Sequence, residues 1–246
     1  MVTDTEGLVL RQIKAANGRR MIVILTKRYG KISAGTSISE GGKNKTALAL
    51  RPFTYGRYEL FKARDSFSIN GAETLQSFYA IGEDVDKYMT ASYALELTDA
   101  MAQEDEPQPA LLALIRDFLQ LLDERKSAFG TLLVGFQMKA LQIEGSAPQL
   151  DRCMRTGNRD DLQVLSVADG GMLCGSCADE APADPLRFAL TPEQLSALRY
   201  MAARPITALK GIGLNEETEK KLRRLFKAYF AYHLGIENLK SESLLI

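Results

Sequence analysis

A chain of 246 residues with 46% hydrophobic and 25% charged residues has the composition of a folded globular protein, which excludes extensive disorder. Its first residues lack the features of a signal peptide, and no window reaches the ~18 apolar residues of a membrane span. The net charge is zero, yet residues 1 to 80 carry 13 basic against 6 acidic residues, and residues 81 to 150 carry 5 against 12. We therefore expect a cytoplasmic protein with no membrane partner and an N-terminal basic surface.

The first eighty residues predict a small closed β-barrel, because five or six short β-rich runs follow one another closely. The predicted strands are Gly7–Ile13, Met21–Thr26, Ile32–Ile38, Ala47–Phe53 and Tyr55–Ala63. Asn17-Gly18 is a strong hairpin signal, and Ser39 to Thr46 is expected to form an exposed loop.

Helical spacing of apolar residues begins at about Thr74. The predicted helices run from Val85 to the acidic residues 103–106, over Pro109–Leu122 and Ala128–Ile143, from a capping box at Thr191–Gln194, and over Glu217–His233 up to Gly235. We expect two domains, residues 1–80 and 81–246, the second interrupted by a cysteine-bearing insert at 148–185.

The three cysteines have the spacing of a zinc ribbon that lacks one ligand. Cys174 and Cys177 form one close pair, whereas Cys153 has Thr156 where the second thiolate belongs. One alternative is zinc held by Cys153, Cys174 and Cys177 with water or a carboxylate from Asp160, Asp161 or Asp169. The other is a metal-free knuckle with free thiols. Both readings are structural, since catalytic zinc usually draws on histidine or carboxylate ligands and this segment has no histidine.

The basic residues of the predicted barrel are interleaved with Tyr29, Phe53, Tyr55 and Tyr58. Single-strand binding combines phosphate-neutralising charges with aromatic faces, so the pattern favours a nucleic-acid surface over a merely solvated barrel. The predicted DNA-binding residues are Arg11, Lys14, Arg19, Arg20, Lys27, Arg28, Lys31, Lys43, Lys45, Arg51 and Arg57. Lys62 and Arg64 complete the basic set.

Other motifs carry less information. Leu209–Gly213 is similar to a helix-hairpin-helix turn, but the acidic residues that follow would repel DNA, and a glycine-containing helix entry explains it equally well. Gly41-Gly42-Lys43-Asn44 departs from a P-loop. His233 is the single histidine, and no nucleophile has a base at recognisable spacing, so we expect no catalysis. The rival hypotheses are a metal-dependent nucleic-acid enzyme using the cysteines, and a protein-interaction module without DNA binding.

The chain resembles the RecO family of bacterial recombination mediators over essentially its whole length. The matching segments are Leu8-Val9-Leu10, Leu25-Thr26 with Gly30-Lys31, Leu50-Arg51-Pro52-Phe53, Tyr93-Ala94-Leu95-Glu96-Leu97, Phe136-Gln137-Met138-Lys139-Ala140-Leu141 with Gly145, Pro148 to Cys153, Gly170 to Cys177, and Leu234-Gly235 through Leu239-Lys240-Ser241.

The resemblance implies an α+β protein with an N-terminal OB-fold barrel, a helical domain with an inserted zinc-ribbon-like segment, and no enzyme activity. It implies binding of single- and double-stranded DNA, strand annealing, recognition of the acidic C-terminal tail of single-strand-binding protein (SSB), and action with RecR to help RecA displace SSB. Such a protein is associated with the nucleoid.

The family's basic barrel surface carries over onto the basic residues named above. Thr156 stands where the family has a cysteine, and Glu242 stands where a basic residue is usual. Contact with the acidic tail is therefore expected at an alternative basic patch, which comprises Lys220, Lys221, Arg223, Arg224 and Lys227.

Overall fold

The structure is a computed structural model that describes residues 1–14, 20–38, 45–64, 66–180 and 184–245. Its strands are β1 (Val2–Lys14), β2 (Arg20–Thr26), β3 (Gly30–Thr36), β4 (Thr54–Lys62), β5 (Phe67–Ser77), β6 (Leu162–Ser166), β7 (Gly171–Cys174) and β8 (Arg187–Ala189). Its helices are α1 (Lys45–Ala49), α2 (Val85–Met101), α3 (Pro109–Glu124), α4 (Phe129–Ile143), α5 (Gly175–Ala178), α6 (Pro192–Ala203) and α7 (Glu216–Leu234). Short 3-10 helices cover Tyr79–Glu83, Ile206–Leu209 and Lys240–Leu244.

The first five strands form a closed barrel in the order β1-β2-β3-β5-β4. The strand β1 pairs with both β2 and β4. A shift in its register with β2 between Val9 and Arg11 bends the strand, so that it can pair on both of its sides. The strands β3 and β5 pair in parallel, at Ala34 with Phe67, whereas the other pairs are antiparallel. Because these pairings close the sheet, the predicted N-terminal barrel is confirmed.

Two details of the predicted barrel are wrong. Residues Ala47–Phe53 do not form a strand, because the alanine-rich Lys45–Ala49 forms α1 and a turn follows it. The fifth strand is instead β5, which sequence patterns did not predict. Only Phe67 and Ile69 are buried in it, and Asn70-Gly71 has the composition of a turn. The predicted hairpin turn at Asn17-Gly18 and most of the predicted loop from Ser39 lie outside the described residues.

The barrel interior holds a continuous apolar core that includes Val9, Ile24, Ile32 and Leu60. Tyr58 is fully buried in this core, and its hydroxyl donates a hydrogen bond to the Ala49 carbonyl at 3.0 Å. A buried phenol normally has such a partner, because an unpaired hydroxyl loses its hydration without compensation. The bond thereby attaches α1 to the barrel wall.

The chain divides into two compact units. The first unit comprises Met1–Glu124 together with the segment that begins at Leu239, and the second is Arg125–Asn238. In the first unit, α2 is tied to the barrel by ion pairs from Arg11 and Lys31 to its Asp99. The predicted boundary at residues 80 and 81 marks the change from strand to helical periodicity, and it stays a prediction about domains.

The acidic segment after α2 is exposed, and its backbone is hydrogen-bonded to β3. The helix α2 ends at Met101, and the Gln103 carbonyl accepts from the Lys31 amide at 3.3 Å. The Asp105 amide in turn donates to the Lys31 carbonyl at 3.3 Å. The acidic segment is therefore attached to the barrel edge of β3 through its backbone.

The second unit is mostly helical, and its predicted helices are confirmed with small shifts at their ends. Thr191 and Gln194 form the predicted capping box of α6, and Gly235 ends α7 in the left-handed conformation at φ 65°. Glu219 of α7 accepts hydrogen bonds from the Thr131 amide at 2.7 Å and the Thr131 hydroxyl at 2.5 Å, so it caps the start of α4.

The cysteine-bearing insert contains a small antiparallel sheet in the order β7-β6-β8. The strand β6 pairs with β7 at Ser166 and Gly171, and with β8 at Leu165 and Phe188. With an N-terminal sheet and a helical remainder, the chain is α+β, as predicted. The zinc-ribbon-like character of the insert stays a prediction.

Candidate nucleic-acid interface and cysteine cluster

A tight turn between β2 and β3 presents two cations at the barrel surface. The Thr26 hydroxyl accepts from the Tyr29 amide at 2.9 Å and donates to the Gly30 carbonyl at 2.9 Å. Gly30 adopts φ 65°, a conformation that suits glycine. Because these bonds turn the chain within four residues, the side chains of Lys27 and Arg28 are left exposed.

Aromatic rings lie beside these cations. The Arg28 guanidinium carbon is 5.3 Å from the centre of the Tyr29 ring, and the Lys62 ammonium is 5.1 Å from it. The Lys62 ammonium is also 5.3 Å from the Phe67 ring, which packs at 5.3 Å from Tyr29. We call Lys27, Arg28, Tyr29 and Lys62 the turn surface; Phe67 is itself buried and packs against the Tyr29 ring. The turn surface combines positive charge with a π-system, the chemistry that single-stranded nucleic acid requires.

A carboxylate partly offsets the charge of Arg57 on the same side of the barrel. One carboxylate oxygen of Glu6 lies 3.6 Å from the Arg57 guanidinium. The other accepts a hydrogen bond from the Tyr55 hydroxyl at 2.9 Å. The hydrogen bond from Tyr55 lowers the pKa of Glu6 against the opposing effect of burial, and the charge of Lys27 lowers it further. Burial and the neighbouring Glu6 raise the pKa of Tyr55. Because Glu6 partly neutralises Arg57, we expect Arg57 to bind phosphate less strongly than the cations of the turn surface.

Three residues of the DNA-binding prediction have partners within the protein. Arg20 is only 7% exposed, and its guanidinium donates to the Ile38 carbonyl at 2.5 Å. The Arg11 Nε lies 2.5 Å from an Asp99 carboxylate oxygen, and the Lys31 ammonium donates to the Asp99 carbonyl at 2.8 Å. Asp99 offsets the charges of Arg11 and Lys31, which join the barrel to α2, whereas Arg20 is buried against neutral oxygen acceptors.

The remaining predicted DNA-binding residues are dispersed. Lys14 is exposed at the end of β1, while Lys45 and Arg51 are exposed at either end of the segment that contains α1. Arg19 and Lys43 lie outside the described residues. The sequence did not single out Phe67 as a neighbour of Tyr29, because β5 was not predicted. Its only sequence signal was a lone aromatic residue after a basic stretch.

The predicted partner-binding patch reduces to a stripe on α7. Lys220, Arg224 and Lys227 are exposed and follow helical spacing along one face, although Lys220 pairs with Glu216 at 2.6 Å. Lys221 donates to the Gln194 side chain at 3.1 Å, and Arg223 is half-buried. The structure thus brings three of the five basic residues together on one face.

The three thiols converge in the insert. The sulfur atoms of Cys153, Cys174 and Cys177 lie within 4.8 Å of one another, and all three residues are buried without a disulfide. The Thr156 hydroxyl lies 3.7 Å from the Cys174 sulfur, and the Ser176 hydroxyl lies 3.3 Å from it. Within the described part of the chain, no carboxylate or histidine joins this group of ligand atoms.

Hydrogen bonds and burial differentiate the thiols. The hydrogen bond with Ser176 lowers the pKa of Cys174. Burial opposes ionisation of Cys153, but hydrogen bonds from Thr156 and from backbone amides outweigh it and lower its pKa. Burial and the neighbouring thiols raise the pKa of Cys177 to about 11. The thiolate is the form that binds metals, so the first two sulfurs are the readier ligands.

Two of the carboxylates suggested as a fourth ligand have other partners. Asp169 accepts from Arg155 at 2.9 Å and from the Ser166 hydroxyl at 2.6 Å. Asp161 accepts from the Gly175 amide at 3.2 Å. The residues present therefore fit a metal held by three thiolates, with a neutral hydroxyl near the fourth position.

Two models of one protein family together match most of the chain. The family model "Recombination protein O N terminal" matches residues 1–78, and "Recombination protein O C terminal" matches residues 82–243. The chain belongs to the recombination protein O family.

The curated relatives of the RecO family span nearly the whole chain. A protein of Myxococcus xanthus named DNA repair protein RecO is 32% identical over 97% of this chain and 94% of its own length. Proteins of the same name from Alkaliphilus metalliredigens and Bacillus subtilis are each 28% identical, over 98% and 100% of this chain and over 97% and 94% of their own lengths. None of the helices in the described residues is long and apolar enough to cross a membrane.

Proposed function

We propose that this protein is a recombination mediator that binds single- and double-stranded DNA, anneals complementary strands and helps to load RecA onto SSB-coated DNA. The observation that carries the proposal is full-length RecO membership in a chain whose barrel exposes a cationic and aromatic surface. The strand order β1-β2-β3-β5-β4 supports assignment of the barrel as an OB-fold. We also place the protein in the cytoplasm, on the nucleoid.

The chemistry proposed here is positioning and not bond making. Lys27, Arg28 and Lys62 neutralise phosphates, which displaces condensed counterions, while Tyr29 offers a ring to an unstacked base. Annealing needs two strands to approach against their mutual repulsion, and a basic surface lowers that repulsion. No described histidine or carboxylate joins the cysteine cluster as a general base, which speaks against the rival metal-dependent enzyme.

The protein partners are assigned by charge. The stripe of Lys220, Arg224 and Lys227 on α7 is complementary to an acidic peptide, so we assign it to the C-terminal tail of SSB. RecR is proposed as the partner with which the protein acts, and RecA as an indirect one. These assignments rest on the family and on the exposed charge.

Zinc is proposed as a structural ion in the insert. Cys153, Cys174 and Cys177 would hold it, and the ion would stabilise the fold of the insert by cross-linking the β7 end to the preceding loop. The side chain near the fourth position is the neutral hydroxyl of Thr156, so we expect weaker binding than in a four-thiolate site.

The proposal is tested by annealing SSB-coated complementary oligonucleotides across a salt series, with zinc content measured by elemental analysis in the same preparation. Annealing that weakens as salt increases is the expected result. Neither annealing nor DNA binding at low salt would reject the mediator function and leave family membership alone.

A further inference from the structure

A groove of about 1930 Å³ runs along the first compact unit, on a different part of the barrel from the turn surface. Its walls come from the ends of β1 and β5, the segment that contains α1, the 3-10 helix Tyr79–Glu83, α2 and the C-terminal 3-10 helix. Small-molecule pockets are usually ~300 to 1,000 Å³, so this groove has room for a length of polymer.

Several exposed apolar side chains line this groove. Tyr79 is 65% exposed and Tyr88 is 47% exposed, and Leu48 and Leu244 are also among the exposed large hydrophobic residues of the chain. The Tyr88 ring packs edge-on against Phe53 at 5.8 Å. Phe53 holds an unusual φ of 62°, and its carbonyl accepts from the Phe78 amide at 3.0 Å. Large residues rarely adopt this backbone conformation, and such conformations cluster at functional sites.

The available charge of the groove is positive. Lys45, Arg51 and Lys240 are exposed, and none has an ion pair within 4.0 Å among the described residues. Two of the groove's carboxylates are already engaged, because Asp99 pairs with Arg11 and Lys31, and Glu96 accepts from the Lys240 and Ser241 amides. The groove lining thus carries four cations, Arg11, Lys45, Arg51 and Lys240, against three carboxylates, Glu73, Glu96 and Asp99. Glu96 keeps its charge and interacts with that of Lys240, so the groove has a net excess of one positive charge, which Lys45 and Arg51 present without an ion pair in the described part of the chain.

We infer that this groove binds single-stranded DNA, with Tyr79 and Tyr88 stacking on bases and Lys45, Arg51 and Lys240 contacting phosphates. Lys45 and Arg51 stand on one wall and Lys240 on another, so a strand lying between them would meet positive charge on both sides. Exposed rings next to unpaired cations match unstacked bases and their phosphates, whereas a duplex would keep its base faces hidden. The inference rests on the proposed DNA binding and adds a second contact surface to it.

The test is the affinity of the full chain for fluorescein-labelled oligothymidine, measured by anisotropy at low salt. Replacing both rings, as Tyr79→Ala with Tyr88→Ala, is expected to raise Kd about 25-fold or more, since stacking contributes at least ~5-fold for each base. The matched Tyr79→Phe with Tyr88→Phe variant keeps both ring faces and should bind within about twofold of the unaltered protein. Tyr232→Ala, at an exposed ring of the second unit, is the control for loss of a surface tyrosine.

A second set of variants separates this groove from the turn surface. Lys45→Ala with Arg51→Ala should reduce the salt dependence of binding by about 1.4 in log–log slope, because each phosphate contact on single strands contributes ~0.7. Photocrosslinking of bromodeoxyuridine-substituted oligonucleotide to the full chain, followed by peptide mapping, should identify Tyr79 or Tyr88. Because crosslinking uses the unaltered protein, this test remains valid even if a variant misfolds.

The outcomes distinguish failure of the groove from failure of the proposed function. If the unaltered protein binds no DNA, the proposed function and this inference both fall. If it binds DNA, but the alanine variants bind equally well and crosslinks avoid the groove, this inference alone is overturned. If the groove variants no longer bind an acidic, aromatic peptide but keep their DNA affinity, the groove binds a protein partner. That result would also overturn the inference.

Discussion

Thr156 is the residue at which this chain departs from a four-ligand cysteine cluster. Its hydroxyl lies close enough to the Cys174 sulfur for a weak hydrogen bond, at 3.7 Å, but a neutral hydroxyl is a poor zinc ligand. The position is nevertheless close to the three converging thiols. A single substitution can therefore complete the ligand set.

Thr156→Cys is expected to raise zinc affinity by about 100-fold or more. Structural zinc contributes ~10 to 16 kcal/mol through four ligands, so one restored thiolate represents about 3 kcal/mol. Competition with a chromophoric chelator measures the change, and Thr156→Ser is the matched control because it keeps the hydroxyl. Equal affinities for the cysteine and serine variants would show that position 156 does not face the ion.

Glu219 shows how one half-buried carboxylate joins two helices of the second unit. It accepts from both the amide and the hydroxyl of Thr131, while the same Thr131 hydroxyl oxygen accepts from the Leu214 amide at 2.8 Å. Loss of this carboxylate leaves buried donors without an acceptor.

Glu219→Ala should lower the free energy of unfolding by about 2 to 3 kcal/mol, as expected for removal of charged hydrogen bonds in a buried setting. Urea denaturation followed by circular dichroism measures it. Glu217→Ala, at an exposed carboxylate in the same first turn of α7, should change it by less than about 1 kcal/mol. Comparable losses in the two variants would contradict the capping role of Glu219.

Among the secondary-structure elements, the C-terminal 3-10 helix is hydrogen-bonded to α2 through the side chain of Glu96. Glu96 accepts from the Lys240 amide at 2.9 Å, the Ser241 amide at 2.8 Å and the Ser241 hydroxyl at 2.5 Å. Burial alone would raise the pKa of Glu96, but these hydrogen bonds from Ser241 and Lys240 lower it below its ordinary 4.5. The ionised form is therefore the one that holds the segment.

This contact should be pH-dependent in one direction. A carboxyl whose pKa is lower in the folded state adds stability above its unfolded pKa, and this stability is lost as the pH falls through the folded value. Hydrogen-exchange protection of the Lys240 and Ser241 amides should be high at pH 7 and decline below about pH 4.5. In Glu96→Gln, protection should be reduced at pH 7 and nearly independent of pH; an unchanged pH profile in that variant would refute the role of Glu96.

The barrel elements illustrate the limits of periodicity. The strands β2 and β4 were predicted because their apolar residues are concentrated or alternate, as buried strands require. Residues 45–50 were misread because Ala47, Ala49 and Leu50 are all buried, and a short apolar run does not distinguish a strand from a helix. The strand β5 was missed because much of its length is exposed, so its alternation fades after Ile69.

At the scale of the whole molecule, a zero net charge conceals an N-terminal basic excess. The structure divides that excess into cations paired with a carboxylate, such as Lys31, and cations that remain exposed, such as Lys27 and Arg28. Phosphate binding depends on the second group, since a matched charge gains little from exchanging one anion for another.

Replacing Lys27 and Arg28 together with alanine should reduce the log–log salt slope of single-strand binding by about 1.4, at ~0.7 for each phosphate contact. Fluorescence anisotropy across a salt series measures the slope. Arg224→Ala with Lys227→Ala on α7 is the control and should leave it unchanged, because that stripe is assigned to a protein partner. A slope unaffected by the first pair would remove the turn surface from the DNA footprint.

Sequence patterns were sufficient to predict the α+β class, the barrel, the principal helices with their caps, the family resemblance and the three candidate thiols. These depend on local periodicity, capping chemistry and residue spacing, which are written in contiguous residues. The folded structure was needed to show which basic side chains are exposed, that Lys62 and Phe67 lie beside Tyr29, and that Tyr79 and Tyr88 line a groove with Lys240. Those relations join residues far apart in the chain, and burial and ion pairing depend on the folded surroundings, so local sequence patterns carry no direct signal of them.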